Sequence, residues 1–374
     1  MDQAYFCPVC GYITYESVLT GSAIEKKCLS CGSALQGTGK DHDYYFKKAF
    51  EVRVKDGNFP KQVAEVVRKE FYYDNPLFDK EKYDCRVVLP KYMCMKQEWV
   101  ERLEYITNFY MDFAGENRYV GIFKTELNGV TFYFIDNEFY FSGFAPYDGD
   151  PKWNIEKFSF FCKAVLSILP VIGFRPDLIH CHDWQTGLIP VYLDNFRFFG
   201  EYYRGIKTVM TIHNLKFQGV WDTKTVQGIT GLPDYYFVPD KLEAYKDANM
   251  LKGGIVYADK VTTVSHSYAE EIKTPFYGEK LDGLMNARSA CLTGIVNGLD
   301  YDEYNPETDP LIYKNYSVKT FRREKIKNKR ALQRELGLEE NDKKFMIGIV
   351  SRLTDQKGLD LVDYVIEEIC AEDT

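Results

Sequence analysis

From Cys85 onward, short β-branched and aromatic runs alternate with segments of helical periodicity, and this alternation constrains the fold more than any other feature. The predicted strands are CRVVLP at 85–90, GVTFYFI at 129–135, DLIHC at 177–181, KTVMTI at 207–212, KVTTV at 260–264 and MIGIV at 346–350. Amphipathic stretches at 156–169, 327–338 and 358–369 predict helices between or after them. Strands separated by helices favour parallel βαβ units, so the sequence predicts an open α/β sheet.

Polar clusters follow several of these strands. The clusters are HCHDWQTG from residue 180, HNLKFQG from 213, NGLD from 297 and SRLTDQKG from 351. Parallel α/β sheets bind ligands beyond the carboxyl ends of their strands, where the loops converge. We therefore expect these clusters to share one rim.

The cluster HCHDW allows three interpretations. His180 and His182 alternate along a strand and point to one face, which suits metal ligation, although no third ligand follows nearby. They can instead be histidines satisfied by packing, or part of a polar pocket that grips the hydroxyls of a neutral ligand. An acidic chain with 16% aromatic residues suits a sugar, because tyrosine offers both a flat apolar face and a hydroxyl.

Seven ordered motifs decide between the interpretations by resemblance. They are RPDLIHCHDWQTGLIP, TIHNLKFQGVW, LKGGIVYADKVTTVS, TPFYGEKLDGLM, GIVNGLDYDEYNPETD, KNKRALQRELGL and IVSRLTDQKGLDLV. In this order and spacing, residues 85 to 374 resemble bacterial glycogen and starch synthases, glycosyltransferase family 5. The resemblance implies a GT-B fold, in which two Rossmann-like domains face each other across a cleft.

The resemblance also implies an activity and its residues. Such an enzyme transfers glucose from ADP-glucose to the non-reducing end of an α-1,4-glucan with retention of configuration, and the transfer needs no cofactor. His182 corresponds to the imidazole that contacts the donor glucose, and Arg352 and Lys357 to the cations that neutralise the departing diphosphate. The remaining substrate-binding residues implied are His213, Asn214, Gln218, Asn297 and Gly298.

The chain departs from the family pattern at both ends. Residues 1–84 contain no Lys-x-Gly-Gly-Leu loop, and no Glu-Pro-x-Gly-Leu segment occurs before Thr374. We therefore expect a synthase that lacks its first strand and most of its second domain, with weak or no transfer. The alternative is a non-catalytic glucan-binding protein.

The N-terminal segment carries a separate motif. CPVCG and CLSCG place Cys7, Cys10, Cys28 and Cys31 in two CxxC pairs, a pattern typical of a structural zinc ribbon. Rubredoxin-like iron and unliganded thiols are the other possibilities. A zinc-ribbon adaptor that binds protein or nucleic acid is accordingly a second alternative for the whole chain.

The sequence also suggests a domain division, a class of partner and a cellular location. We divide the chain into a ribbon (1–40), a segment of unknown role (41–84), the main synthase domain (85–338) and the start of a second domain (339–374). The net charge of −8 disfavours nucleic acid, and no apolar run approaches the roughly 18 residues of a membrane span. The first residues do not resemble a secretory signal, so the sequence predicts a cytoplasmic protein.

Overall fold

The computed structural model describes residues 4–6, 13–15, 83–143, 146–147 and 149–371. The chain divides into two compact units, Met1–Asn297 and Gly298–Thr374. Strands β1 (Ala4–Phe6) and β2 (Ile13–Tyr15) pair antiparallel. The four cysteines of the predicted ribbon lie outside the described residues, and the domain boundaries drawn from the sequence remain predictions.

A mixed four-stranded sheet opens the synthase-like region, in the order β3-β6-β5-β4. Its strands are β3 (Arg86–Pro90), β4 (Glu104–Phe113), β5 (Glu116–Leu127) and β6 (Val130–Asp136). β3 and β6 are parallel, as the sequence predicted, whereas β4, β5 and β6 form an antiparallel meander that was missed. Asn128 and Gly129, both at positive φ, form the β5–β6 turn, and an Asn-Gly pair between β-rich runs was the available signal.

A second sheet is entirely parallel, in the order β13-β12-β8-β7. Its strands are β7 (Leu178–His182), β8 (Lys207–Ile212), β12 (Lys260–Thr263) and β13 (Leu292–Gly294). This sheet confirms the predicted parallel α/β architecture. A small antiparallel sheet beside it contains β9 (Val220–Asp222), β10 (Glu243–Ala244) and β11 (Asp247–Asn249).

Eight helices lie among the described residues of the first unit. They are α1 (Gln97–Val100), α2 (Glu138–Phe141), α3 (Pro151–Val171), α4 (Leu188–Phe199), α5 (Thr223–Thr230), α6 (Met250–Tyr257), α7 (His266–Glu271) and α8 (Asp282–Ala287). No helix in the described part of the chain combines the length and the apolar character needed to cross a membrane.

Helix α3 forms the centre of the core. Asp150 caps it by accepting the Trp153 N–H at 2.7 Å, and Pro151 occupies the first turn, where its missing N–H costs nothing. Its apolar residues are buried around most of its circumference, and it packs against α4 and the parallel sheet's core cluster. The same core cluster contains Cys181 of β7 and Met210 of β8, so α3 and the strands that lead to the site share one core.

The second unit contains two helices among its described residues, α9 (Phe321–Glu335) and α10 (Leu359–Ala371), and both were predicted. The predicted strand at 346–350 is wrong, because no strand is formed there. A strand requires a hydrogen-bonded neighbour, and the described residues of this unit supply none. Ile347, Ile349 and Val350 are exposed as a result.

Candidate functional site

The central feature of the site is a pair of histidines at the carboxyl ends of two neighbouring parallel strands. His182 is the last residue of β7 and lies opposite Thr211 of β8, so that His213 follows just beyond the same edge. The His182 Nδ1 and His213 Nε2 atoms are 3.1 Å apart, and which nitrogen donates depends on the tautomers. The sheet thus brings together two predicted site residues that are 31 positions apart in sequence.

His180 extends this pair along β7. Its ring centroid lies 4.3 Å from that of His182, which confirms that the two side chains share one face of the strand. The His180 Nε2 atom is 2.6 Å from the Thr211 hydroxyl, and that hydroxyl is 2.6 Å from the Thr262 hydroxyl on β12. His180 is therefore tied into a polar row across three strands, which corresponds to the packing interpretation for this histidine.

The surroundings of His182 and His180 favour the uncharged form of both imidazoles. Loss of hydration, then the neighbouring imidazoles of His180 and His213, lower the pKa of His182 to about 4. Loss of hydration and His213 also lower the pKa of His180. Near neutral pH His182 is a neutral imidazole, which both donates and accepts hydrogen bonds and therefore suits a hydroxyl-bearing ligand.

The metal interpretation of HCHDW finds no support in the geometry. Across the ranges that the structure describes, no group of three or more His, Cys, Asp or Glu side chains is placed to hold a metal ion. His180 and His182 also interact with hydroxyl and imidazole groups of the protein itself.

Asp183 is a site residue that the sequence analysis did not select. The strand ends before it, at His182, and the backbone turns through φ 56° and ψ −172°. Its carboxylate Oδ1 accepts the backbone N–H of His213 at 2.7 Å, and its own N–H donates to the Thr211 carbonyl at 2.9 Å. The signal available in the sequence was an acid directly at the end of a strand.

The loop after β8 holds the predicted residues Asn214 and Gln218. The Asn214 Oδ1 atom accepts the Lys216 N–H at 3.0 Å, so this side chain shapes the loop. Gln218 donates to the carbonyls of Leu215 and Glu279 and accepts from Asn249 at 2.6 Å. Both ends of the Gln218 amide are thus used within the protein, where they tie the loop to its neighbours.

The remaining predicted residues lie further along the chain. Asn297 is exposed beyond β13 at the end of the first unit, and Gly298 begins the second. Arg352 and Lys357 are exposed residues of the second unit, on either side of a short turn. In that turn the Thr354 N–H donates to the Arg352 carbonyl and the Lys357 N–H to the Thr354 carbonyl, both at 2.9 Å.

A parallel α/β sheet with polar groups gathered at the carboxyl ends of its strands defines a Rossmann-like α/β domain with a ligand site at that edge. Residues 77–287, more than half of the chain, match the family model described as the starch synthase catalytic domain. The chain therefore belongs to the starch synthase catalytic domain family.

Similar proteins agree with this assignment. The glycogen synthase of Lachnospira eligens is 69% identical over 296 residues, covering 79% of this chain and 62% of that protein. The glycogen synthase of Lachnoclostridium phytofermentans is 64% identical over the same shares of both chains. The catalytic domain of starch synthase IV from Arabidopsis thaliana, solved bound to ADP and acarbose, has a TM-score of 0.68 and 30% identity over 79% of this chain and 60% of that one. The chain thus spans about three fifths of the length of these relatives.

Proposed function

We propose that the chain is a glycogen (starch) synthase, which transfers glucose from ADP-glucose to the non-reducing end of an α-1,4-glucan with retention. The observation that carries the proposal is the contact between the neutral imidazole of His182 and the His213 ring at the strand ends of a domain that belongs to this family. The 69% identity to a glycogen synthase supports the choice of reaction. The ADP and acarbose bound to the Arabidopsis starch synthase support a nucleotide sugar and a glucan as partners.

The proposed roles follow from the chemistry of each group. His182 hydrogen-bonds a hydroxyl of the donor glucose as a neutral imidazole, and His213 and Asn214 line the sugar side with Gln218 behind them. Arg352 and Lys357 neutralise the diphosphate as it leaves, since fixed cations stabilise growing negative charge in the transition state. Asn297 and Gly298 complete the substrate-binding set that we propose.

Saccharide binding tests the site in the first unit. Calorimetric titration of the chain with a maltooligosaccharide is expected to show saturable binding, which His182→Ala weakens by about 5-fold to 100-fold because a hydroxyl loses its partner. Glu201→Ala is the control, because its exposed ion pair with Arg204 lies before the amino end of β8, away from the rim. Absence of saccharide binding would contradict the proposal and favour the adaptor alternative.

Nucleotide binding tests the second unit. ADP affinity is expected to fall about tenfold or more in Arg352→Ala and in Lys357→Ala, since each removes a charge-assisted contact to the diphosphate. Lys343→Ala removes an exposed cation of the same unit and serves as the control. Equal ADP affinity in all three variants would refute these two roles. Saccharide binding without any binding of ADP would favour the non-catalytic glucan-binding protein.

We further propose that Cys7, Cys10, Cys28 and Cys31 bind one structural zinc ion. The four soft thiolates in two CxxC pairs support this, because tetrahedral sets of four thiolates select zinc or, less often, iron. Location in the cytoplasm and the absence of a nucleic-acid partner remain predictions from the sequence.

A further inference from the structure

The turn after β7 holds its residue in an unusual backbone conformation. Asp183, with φ 56° and ψ −172°, occupies a region that is populated almost only by glycine. This position is nevertheless occupied by an aspartate, whose Oδ1 atom accepts a hydrogen bond from the His213 N–H at 2.7 Å. A glycine would relieve the backbone but would lose this acceptor.

The contacts of Asp183 and Thr186 locate both histidines. The Thr186 hydroxyl accepts the His182 N–H at 2.6 Å and donates to the His182 carbonyl at 2.8 Å, so the end of β7 is held from the side. Asp183 holds the start of the loop after β8 through the His213 N–H. The distance between His182 Nδ1 and His213 Nε2 is therefore determined by these two anchors.

We propose that Asp183 is the positioning residue of this site. By accepting the His213 N–H, its carboxylate sets the loop after β8 so that the His213 ring meets Nδ1 of His182. His182 is then fixed in one ring orientation, and its Nε2 remains available to a ligand. That this ligand is a sugar rests on the proposed function; the positioning itself does not.

Two tyrosines and two further histidines are titratable groups close to Asp183 and His182. Burial raises the pKa of Tyr147 and of Tyr268, and the charge of Asp183 adds a smaller part to each shift, so both hydroxyls lie within its electrostatic reach. His182 faces His180 on its own strand and His213 from the neighbouring strand. Burial and His180 lower the pKa of His182 most, and His213 adds to the shift, so a displaced His213 ring raises the pKa of His182 by that last contribution.

Three variants separate the hydrogen bond from the backbone conformation. Asp183→Asn retains an acceptor oxygen, Asp183→Gly loses the acceptor but suits the backbone, and Asp183→Ala loses the acceptor in the strained conformation. The readout is the imidazole nitrogen NMR signal of His182 in the ligand-free full chain as the pH is lowered. His213→Ala, which removes the partner ring directly, sets the size of the expected change.

The wild-type His182 is expected to stay neutral until about pH 4. In Asp183→Gly and Asp183→Ala the His213 ring moves away, and the pKa of His182 rises by the share that His213 contributes, as in His213→Ala, while burial and His180 still hold it below its ordinary value. Asp183→Asn behaves like the wild type. Unchanged titration in Asp183→Gly, the variant least prone to misfold, would overturn the proposal, and so would an Asn variant that matches Asp183→Gly.

A binding measurement separates this proposal from the proposed function. Maltooligosaccharide affinity is expected to fall in Asp183→Gly by the same factor as in His213→Ala. If the NMR result holds while the wild type binds no saccharide, the positioning role stands and the proposed function fails. If saccharide binds equally to the wild type and Asp183→Gly, the positioning role fails while the proposed function stands.

Discussion

At the scale of single residues, the turn after β7 is built on Trp184, whose ring is 8% exposed and meets the edge of Phe158 at 5.1 Å. Gly219 lies against this ring at φ +62°, and a Cβ atom there would be 2.3 Å from a ring carbon. Both the backbone conformation and the available space therefore require glycine, and the loop that carries His213 and Asn214 returns to β9 through this contact.

Replacing Gly219 with alanine is expected to lower the free energy of unfolding by about 1–3 kcal/mol, because the new methyl group overlaps Trp184 and the φ angle becomes strained. Denaturant titration measures the change. Gly228→Ala is the matched control, since a Cβ in this position of α5 meets nothing within 4 Å and alanine favours helix by roughly 0.5–1 kcal/mol. Similar losses in both variants would contradict the steric explanation.

The lowered pKa of His182 makes a prediction about acid stability. Its folded-state pKa of about 4 lies below the ordinary value of 6.5, so between these values only the unfolded chain binds the proton. The contribution is thus fully present above about pH 6.5 and is lost as the pH falls toward 4. His182→Gln, which cannot titrate, is expected to lose less unfolding free energy between pH 7 and 5 than the wild type. Parallel pH profiles would disprove the assignment.

At the scale of elements, the two larger sheets have exposed edge strands, whereas α3 is buried. β3 and β7 each end a sheet and pair with one strand among the described residues, and Leu89 and Leu178 on them are exposed. Such edges are prone to association with other strands, since their backbone groups are unpaired. Helix α3, in contrast, is protected from such association, because most of its large side chains are buried among its neighbours.

Truncation of the α3 core is expected to be costly. Phe160 is completely buried and its ring lies 5.6 Å from Phe113 and 4.6 Å from Tyr140, so Phe160→Ala should lower the free energy of unfolding by about 3–5 kcal/mol. Val171→Ala, on the 45% exposed last residue of the same helix, should cost well under 1 kcal/mol. Thermal or denaturant unfolding compares the two, and a small effect at Phe160 would place the core elsewhere.

At the scale of the whole molecule, the proposed functions are divided among parts of the chain. The histidine pair belongs to the first unit, the two phosphate-directed cations to the second, and the four thiolates to the N-terminal segment. The proposed zinc binding depends on the spacing of the four cysteines alone, and the histidine pair is held by β7 and β8. Loss of the metal is therefore expected to leave the histidine site unchanged.

Metal analysis of the purified chain is expected to find about one zinc per molecule, as four thiolates bind one tetrahedral ion. Replacing Cys7 and Cys10 with serine removes it, whereas Cys94→Ser, at an exposed cysteine outside the set, retains it. Maltooligosaccharide affinity should be the same with and without zinc. Metal-free protein after supply of zinc, or zinc that persists in the double variant, would rule out the ribbon.

Local sequence patterns were enough to predict several strands and helices. The strands β3, β6, β7, β8 and β12 and the helices α3, α9 and α10 follow from hydrophobic periodicity, which acts over a few residues. The position of His182 at a strand end follows in the same way. Family membership was also predictable, since the order and spacing of the motifs can be read from the sequence without knowledge of the fold.

Features that depend on contacts between residues far apart in the sequence could be seen only in the folded structure. The register of β7 against β8 brings His182 to His213, and no local pattern encodes that pairing. Asp183 was missed because its role depends on a strand that ends at His182 and on an N–H 30 residues away. The run at 346–350 has the composition of a strand but remains unpaired in its unit, because a strand exists only where a neighbour completes its hydrogen bonds.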